Sequence, residues 1–216
     1  MRVYALIVAA GRGTRAGGDR PKQWQMLQNM RVIDHAINAF ESHPLVSGIA
    51  LVLHADDMSE APDMRKRGYT VALGGAERNQ SVHAGLRILP DCDAVLIHDA
   101  ARACVSQGII SDVISALDHH DAAAPGVAVT DALWTGALGK VTGKMDRTGL
   151  FAAQTPQGFR LNKILQAHET YDGIAADDVA VARAAGLDVA ITQGDPDNIK
   201  ITTPLDFDRA ARILEK

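Results

Sequence analysis

Short apolar runs with few polar residues alternate along the chain with segments whose apolar positions recur every three to four residues. The runs are typical of parallel strands buried on both faces, and the second pattern is typical of amphipathic helices. The runs predict strands at residues 3–9, 49–53, 70–73, 94–97, 122–129 and 187–192. The helical spacing predicts helices at residues 32–40, 58–67, 80–88, 107–117, 161–171, 177–185 and 204–214. This alternation favours an α/β fold with a mostly parallel sheet and right-handed crossovers.

The pattern changes between residues 131 and 150, where glycines separate short β-prone pieces. Leu138, Gly139 and Lys140 are typical of a hairpin turn in this segment. We therefore expect a β-arm that leaves the main sheet. The rest of the sequence contains no repeat and no linker that would divide it, so we expect a single domain over residues 1–216.

Composition excludes several classes of protein. The net charge of −4 gives the chain no general basic surface for nucleic acid. The longest apolar run near the start, residues 5–10, is too short to span a membrane and lacks the arrangement of a signal peptide. Cys92 and Cys104 have no metal-ligand spacing and form no disulfide framework, which favours a reducing compartment. We expect a cytoplasmic protein with neither nucleic acid nor membrane as a partner.

A glycine-rich loop follows the first predicted strand, with AAGRGTR at residues 9–15 and PKQ at residues 21–23. Glycine lets backbone N–H groups approach phosphate oxygens, and Arg15 and Lys22 add positive charge beside them. A Walker loop needs a Gly-Lys-Ser/Thr sequence that is missing from this segment, and the third glycine of a dinucleotide fingerprint, Gly17, comes one residue late. The loop therefore favours phosphate binding of another kind, while a plain surface loop stays open as the alternative.

Two acidic segments follow later strands: HDAAR at residues 98–102 and DNIK at residues 197–200. Ligands of open α/β sheets bind beyond the carboxyl ends of strands, so Asp99 is placed to hold Mg²⁺ on a nucleotide. Asp197 is the candidate for a second metal-binding carboxylate, and Lys200 for a contact with the acceptor's phosphate. Arg102 is placed to pair with Asp99 or to reach a phosphate. A helix cap or loop carboxylate at Asp99 and a polar turn at residues 197–200 remain the alternatives.

Together these motifs resemble the 2-C-methyl-D-erythritol 4-phosphate cytidylyltransferases, the CTP-using enzymes of the non-mevalonate isoprenoid pathway. The resemblance covers residues 5–211. The motifs that carry it are, in order, AAGRGTR (9–15), PKQ (21–23), GGAERNQSVHAGL (74–86), HDAARA (98–103), DRTGLFAAQTPQGF (146–159) and DNIKIT (197–202). The resemblance implies a Rossmann-like α/β nucleotidyltransferase fold, CTP as substrate with Mg²⁺ or another divalent cation, and a homodimer formed through a β-arm at residues 131–150.

The resemblance also implies roles for individual residues. The CTP-binding loop is matched by Ala9, Ala10, Gly11 and Gly13, and the base-selecting segment by Gly75, Arg78 and Ser81. The pair that stabilises the transition state is matched by Arg15 and Lys22, and the pair that positions the acceptor by Arg147 and Lys200. Asp99 matches the residue near metal and ribose, Ala100 and Arg102 beside it are expected to bind the nucleotide, and Thr155 matches a threonine of the acceptor region.

The sequence departs from the family pattern at two positions on the acceptor side. Ala132 stands where a threonine is usual at the start of the arm, and Ala176 replaces the threonine of a usual Thr-Asp-Glu. Another polyol phosphate, such as ribitol 5-phosphate, therefore remains open as the acceptor. A sugar-1-phosphate nucleotidyltransferase that uses UTP or GTP and a non-catalytic nucleotide-binding protein also remain open, whereas the late Gly17 argues against a nicotinamide-dependent enzyme. Some relatives are fused to a second enzyme of the pathway, so this chain could be a stand-alone enzyme or part of a fusion.

Overall fold

The computed structural model describes residues 1–13 and 20–216. Its helices are α1 (Val32–Glu41), α2 (Ala61–Lys66), α3 (Arg78–Leu86), α4 (Gln107–Ala116), α5 (Leu161–Thr170), α6 (Asp178–Ala184) and α7 (Pro204–Leu214). Its strands are β1 (Val3–Ala9), β2 (Met26–Leu27), β3 (Met30–Arg31), β4 (Val46–Leu53), β5 (Thr70–Leu73), β6 (Ala94–Asp99), β7 (Ala122–Ala128), β8 (Leu133–Ala137), β9 (Lys140–Met145), β10 (Phe151–Ala153), β11 (Gln157–Arg160) and β12 (Val189–Gln193). Short 3-10 helices cover Lys22–Trp24 and Ala55–Glu60.

The main sheet has the strand order β10-β7-β11-β6-β1-β4-β5, and β12 also pairs with β7. β1 lies in the middle and is parallel to β4 and β6, and β4 is parallel to β5. β11 runs antiparallel between β6 and β7. This mostly parallel sheet flanked by helices confirms the predicted α/β class. The apolar pattern did not predict β10 and β11, because both strands are short and β11 includes two polar residues, Gln157 and Arg160.

The central strand is buried on both of its faces, because side chains of successive strand residues point to opposite sides of the sheet. Ala5 and Ile7 of β1 belong to the core cluster that contains Phe40 of α1. Leu6 belongs to the cluster on the other face, which also contains Val82 of α3. Helix layers on both faces therefore hold β1 rigidly, and its carboxyl end provides a fixed platform for the loop that follows.

Two further differences from the sequence prediction lie near the carboxyl ends of β4 and β6. The helix expected at residues 58–67 is a 3-10 helix at Ala55–Glu60 followed by α2, which has a proline in its first turn, where the missing N–H group costs nothing. β6 extends to Asp99, which lies in register with Val8 of β1. His98 and Asp99 are therefore the last residues of a strand and do not follow it. Across the described ranges, every helix is too short or too polar to traverse a lipid bilayer.

The segment at residues 131–150 contains an antiparallel hairpin of β8 and β9, which forms a separate two-stranded sheet. Leu138 and Gly139 at its turn have left-handed φ values of 51° and 74°, as hairpin turns with two such residues require. Large apolar side chains are exposed along the hairpin: Trp134, Leu138, Val141 and Met145. The arm therefore presents apolar surface that its own chain does not cover.

Candidate active site

A cleft of about 420 Å³ opens where the parallel strands β1, β4, β5 and β6 end. This is the edge of an α/β sheet at which ligands bind. Predicted site residues that line the cleft are Ala9, Ala10, Gly11, Gly13, Lys22, Gly75, Arg78, Ser81, Asp99, Ala100 and Lys200. The sequence motifs, although far apart along the chain, therefore meet in one place. Arg15 lies outside the described residues.

The first wall of the cleft is the loop after β1, which the side chain of Gln23 supports from within. Gln23 is buried, and its Nε2 donates hydrogen bonds to the carbonyl oxygens of Ala9 at 2.9 Å and Gly11 at 3.0 Å. In a trans peptide the N–H group points away from the carbonyl of the same peptide unit. The two bonds therefore fix the peptide planes that carry the N–H groups of Ala10 and Arg12, and so preorganise the loop.

Lys22 crosses the cleft from the 3-10 helix that follows the glycine-rich loop. Its Nζ donates a hydrogen bond to the carbonyl oxygen of Ile201 at 2.6 Å. Gly13 has a φ of +57°, and a Cβ at this position would meet the methylene groups of Lys22 at 3.0 Å. The left-handed backbone and the close approach both favour glycine at residue 13. The ammonium group of Lys22 thus lies between the glycine-rich loop and the loop that contains Ile201.

The second wall comes from the loop after β5 and the start of α3. The N–H group of Gly75 donates to Oγ of Ser81 at 3.1 Å, and Ser81 is almost fully buried. A Cβ on Gly74 would lie 2.6 Å from the Cβ of Ala10, so the two walls touch at this point. Glycine at residue 74 is therefore required by close backbone approach, and the position of one wall sets the position of the other.

The floor of the cleft carries Asp99, which two basic side chains contact. Lys200 donates from Nζ to Oδ2 of Asp99 at 2.7 Å, and Nη2 of Arg78 lies 3.5 Å from Oδ1. Burial opposes ionisation of this carboxyl, but Lys200 and Arg78 outweigh it, so the pKa of Asp99 lies well below its usual range. Asp99 is therefore an anion at neutral pH, in a cleft where it is outnumbered by cations.

His98 and Thr155 support Asp99 from below. His98 is fully buried, and burial lowers the pKa of His98 to about 4, so the ring is neutral at neutral pH. Its Nε2 is 3.1 Å from the carbonyl oxygen of Arg102, which requires the proton on Nε2. Nδ1 then accepts from the hydroxyl of Thr155 at 3.0 Å, and Thr155 Oγ1 accepts from the N–H group of Asp99 at 3.2 Å. This chain of hydrogen bonds fixes the backbone that carries Asp99.

Four predicted site residues do not line the cleft. Arg102 donates to the carbonyl oxygens of Asn198 at 2.7 Å and Ala153 at 3.2 Å, so its guanidinium group joins two loops instead of reaching a phosphate. Thr155 is buried beneath Asp99, where its hydroxyl meets the backbone of that residue.

The other two, Asp197 and Arg147, also lie outside the cleft lining. Oδ2 of Asp197 accepts from Lys216 at 2.6 Å, outside the cleft, so the structure does not place Asp197 beside Asp99 as a second metal-binding carboxylate. Arg147 is exposed on the loop after β9 and is not among the residues that line the cleft of its own chain.

The structure also brings residues to the site that the sequence reasoning missed. Arg12 and His54 line the cleft, while Gln23 and Asp57 support the loop from behind. The carboxylate of Asp57 lies 3.5 Å from Nε2 of Gln23 and 3.4 Å from Nη1 of Arg12. Gln23 follows Lys22 in the PKQ motif, so that motif could have identified Gln23 as a site residue. His54 and Asp57 had none, because they follow a strand whose pattern indicates only burial.

A glycine-rich loop, a cationic cleft and a carboxylate on the last residue of the neighbouring parallel strand together define a nucleotidyltransferase of the α/β type. Comparison with known proteins specifies the kind. The chain belongs to the 2-C-methyl-D-erythritol 4-phosphate cytidylyltransferase (IspD) family, whose family model matches residues 3–216. The family expected from the sequence motifs is therefore confirmed.

Curated relatives and solved structures agree with this assignment. A 2-C-methyl-D-erythritol 4-phosphate cytidylyltransferase of Roseobacter denitrificans is 58% identical over 99% of this chain and 97% of its own length. A bifunctional IspD/IspF enzyme of Ruegeria pomeroyi is 54% identical over 100% of this chain, which spans 58% of that relative. The crystal structure of the Thermus thermophilus cytidylyltransferase has a TM-score of 0.83 at 27% identity and covers 100% of both chains. A crystal structure of 4-diphosphocytidyl-2C-methyl-D-erythritol synthase has a TM-score of 0.86 at 26% identity, over 99% of this chain and 98% of that one.

Proposed function

We propose that the chain transfers CMP from CTP to 2-C-methyl-D-erythritol 4-phosphate, giving 4-diphosphocytidyl-2-C-methyl-D-erythritol and pyrophosphate in isoprenoid precursor biosynthesis. Membership of the family supports the reaction. The observation that carries it to this chain is the cleft, where the glycine-rich loop, Lys22, Arg78 and Lys200 surround Asp99. The charge and position of these groups suit a nucleoside triphosphate and a second phosphate that attacks it.

The chemistry is a displacement at the α-phosphorus of CTP. An oxygen of the acceptor's phosphate forms the new P–O bond, and the bond to the β-phosphate oxygen breaks as pyrophosphate leaves. The attacking phosphate is already an anion at neutral pH, so the site needs no general base. The barrier is mainly electrostatic, because two anions must approach each other. In this proposal Lys22 and Arg15, which the sequence motifs assign to this role, stabilise the negative charge that develops in the transition state.

The nucleotide is held by both walls of the cleft. N–H groups of the loop at residues 9–13 bind the phosphates, and the segment with Gly75, Arg78 and Ser81 binds the cytosine. The fixed peptide planes behind Ala10 and the hydrogen bond from Gly75 to Ser81 support this division. Ala100 follows Asp99 at the same edge and lines the cleft, where it would lie beside the ribose.

A magnesium ion fits the donor groups of the cleft. Asp99 supplies an ionised carboxylate, and Mg²⁺ in nucleotide sites takes one or two protein carboxylates with water and phosphate completing its shell. Within the described residues no group of three or more acidic, histidine or cysteine side chains gathers to hold a metal, which agrees with a site that uses substrate phosphates. We propose that Asp99 holds the ion, which would offset phosphate charge. Asp197 is not part of this proposal, because it pairs with Lys216.

The acceptor lies on the Lys200 side of the cleft in this proposal. Arg147 would join it from the arm of a second copy, because Arg147 is exposed and does not line its own cleft. A homodimer that packs through residues 131–150 supplies that arrangement, and the exposed apolar residues of the hairpin suit such an interface. A single domain over residues 1–216 and a cytoplasmic location, favoured by the two free cysteines, complete the proposal.

The test is pyrophosphate release with Mg²⁺ from CTP, UTP, GTP and ATP, each with 2-C-methyl-D-erythritol 4-phosphate or ribitol 5-phosphate. Release with CTP and the first acceptor is expected. Release with CTP and ribitol 5-phosphate alone would change the acceptor, as Ala132 and Ala176 allow, and keep the mechanism. Binding of CTP without release from any pair would refute catalysis on these substrates. In the same assay Lys22→Ala should release much less pyrophosphate, and Lys66→Ala at the exposed end of α2 is its matched control.

A further inference from the structure

Behind the cleft lies a buried carboxylate that the proposed reaction does not use. Asp178 begins α6 and has 1% of its surface exposed. Its Oδ2 is 2.7 Å from Nη1 of Arg78, and its Oδ1 is 3.3 Å from Nε2 of His168. Within the described part of the chain, neither oxygen has an aligned hydrogen bond, so both of these contacts are close but poorly oriented. A buried carboxylate is costly unless it is paired, and Arg78 and His168 are the side chains that contact its two oxygens.

Arg78 stands between two carboxylates. One end of its guanidinium group lies 2.7 Å from the buried Asp178, while the other lies 3.5 Å from Asp99 in the cleft. Arginine presents its N–H groups in a rigid planar fork, so the group held by Asp178 sets the direction of the other. Asp178 therefore aims Arg78 into the cleft, and the shorter, buried contact is the stronger of the two constraints.

His168 holds Asp178 from the side opposite Arg78. It lies on α5, and its side chain is 2% exposed. Its ring stacks on the ring of His83 from α3 with centroids 6.2 Å apart and an interplanar angle of 18°. The ring is thus fixed by packing between helices, with Nε2 held 3.3 Å from the carboxylate but not aligned for a hydrogen bond.

We propose that His168 and Asp178 are positioning residues for Arg78, and that they set the affinity for CTP although neither touches it. His168 keeps the carboxylate of Asp178 in place, and Asp178 keeps the fork of Arg78 directed at the nucleotide. This inference rests on the proposed function, in which Arg78 contacts CTP. Without the anchor, Arg78 turns toward Asp99 and competes there with Lys200.

The variants His168→Phe and His168→Gln separate this role from packing. Phenylalanine keeps the ring and its stacking but has no N–H group, so the KM for CTP should rise about tenfold with kcat little changed. Glutamine places an N–H group at a similar reach and should restore the wild-type KM within about twofold. Asp178→Asn should raise the KM for CTP at least as much as His168→Phe. The exposed His119→Phe is the matched control and should change neither constant.

A double-mutant cycle gives the decisive result. If His168 acts through Arg78, then His168→Phe should have no further effect on the KM for CTP in the Arg78→Ala background. An equal rise in both backgrounds, an unchanged KM in folded His168→Phe, or no effect of Arg78→Ala would overturn the proposal. A calorimetric CTP titration repeats the cycle on binding alone. The positioning role can thus be tested even if the wild-type protein releases no pyrophosphate and the proposed reaction fails.

Discussion

Replacement of His98 by glutamine should remove much of the acid sensitivity of the fold. His98 is fully buried and neutral, and burial lowers the pKa of His98 from 6.5 to about 4. Between about pH 4 and pH 6.5, His98 binds a proton in the unfolded chain but not in the folded chain. The stabilising contribution of neutral His98 is therefore complete above about pH 6.5 and is lost as the pH falls toward 4.

The size of the effect follows from the two pKa values. On going from about pH 7.5 to pH 5, this side chain should remove about 2 kcal/mol from the free energy of unfolding. His43 and His83, whose pKa values are also lowered chiefly by burial, act in the same direction, so the wild-type loss is larger. Carboxylates contribute little in this range, because they titrate at lower pH.

The assay is urea unfolding of wild type and His98→Gln at the two pH values. Glutamine can donate to the carbonyl oxygen of Arg102 as Nε2 of His98 does, but it does not titrate. The variant is expected to be less stable at pH 7.5, where it loses the acceptor for Thr155, and to lose about 2 kcal/mol less than wild type on acidification. His119→Gln on the surface should lose as much as wild type. Equal acid losses in His98→Gln and wild type would refute the reasoning.

Three further changes test the site and the arm. Lys22→Ala should lower kcat by about 10²–10³ with unchanged circular dichroism, because a preorganised charge is lost, and near wild-type kcat would remove Lys22 from that role. Gly74→Ala should raise the KM for CTP about tenfold or more by pushing Ala10 away, whereas an unchanged KM would show that the two walls move independently. Trp134→Lys should lower the dimer fraction in sedimentation velocity, and an unchanged mass distribution would show that the arm is not the interface.

The sequence predicted elements best where one periodicity ran without interruption. β1 and α7 begin and end at the predicted residues, since β1 is apolar throughout and α7 starts at a proline after a capping threonine. β11 was missed because its position between β6 and β7 depends on pairing with distant strands. Local pattern carries no information about such partners.

The sequence predicted which residues form the candidate site better than it predicted the contacts that these residues make. Motifs at residues 9–13, 74–81 and 98–100 meet in the cleft because their strands end at one edge, which is a consequence of the parallel sheet. The partners of Arg102 and Asp197 could not be predicted from the sequence. They are Asn198 and Lys216, and only the folded chain brings them within hydrogen-bonding distance. The contact between Asp178 and Arg78 could not be predicted for the same reason.

The hairpin of β8 and β9 is joined to the body through β10 but pairs as a sheet of its own. Its strands can therefore be exchanged without breaking a single ladder of the main sheet, which makes the arm a separable module. A chimera that carries a relative's hairpin between Asp131 and Asp146 should keep its nucleotide cleft while acquiring the relative's partner preference. In the proposed dimer, partner preference and nucleotide binding are thus encoded by different stretches of the chain, and only the acceptor site depends on both.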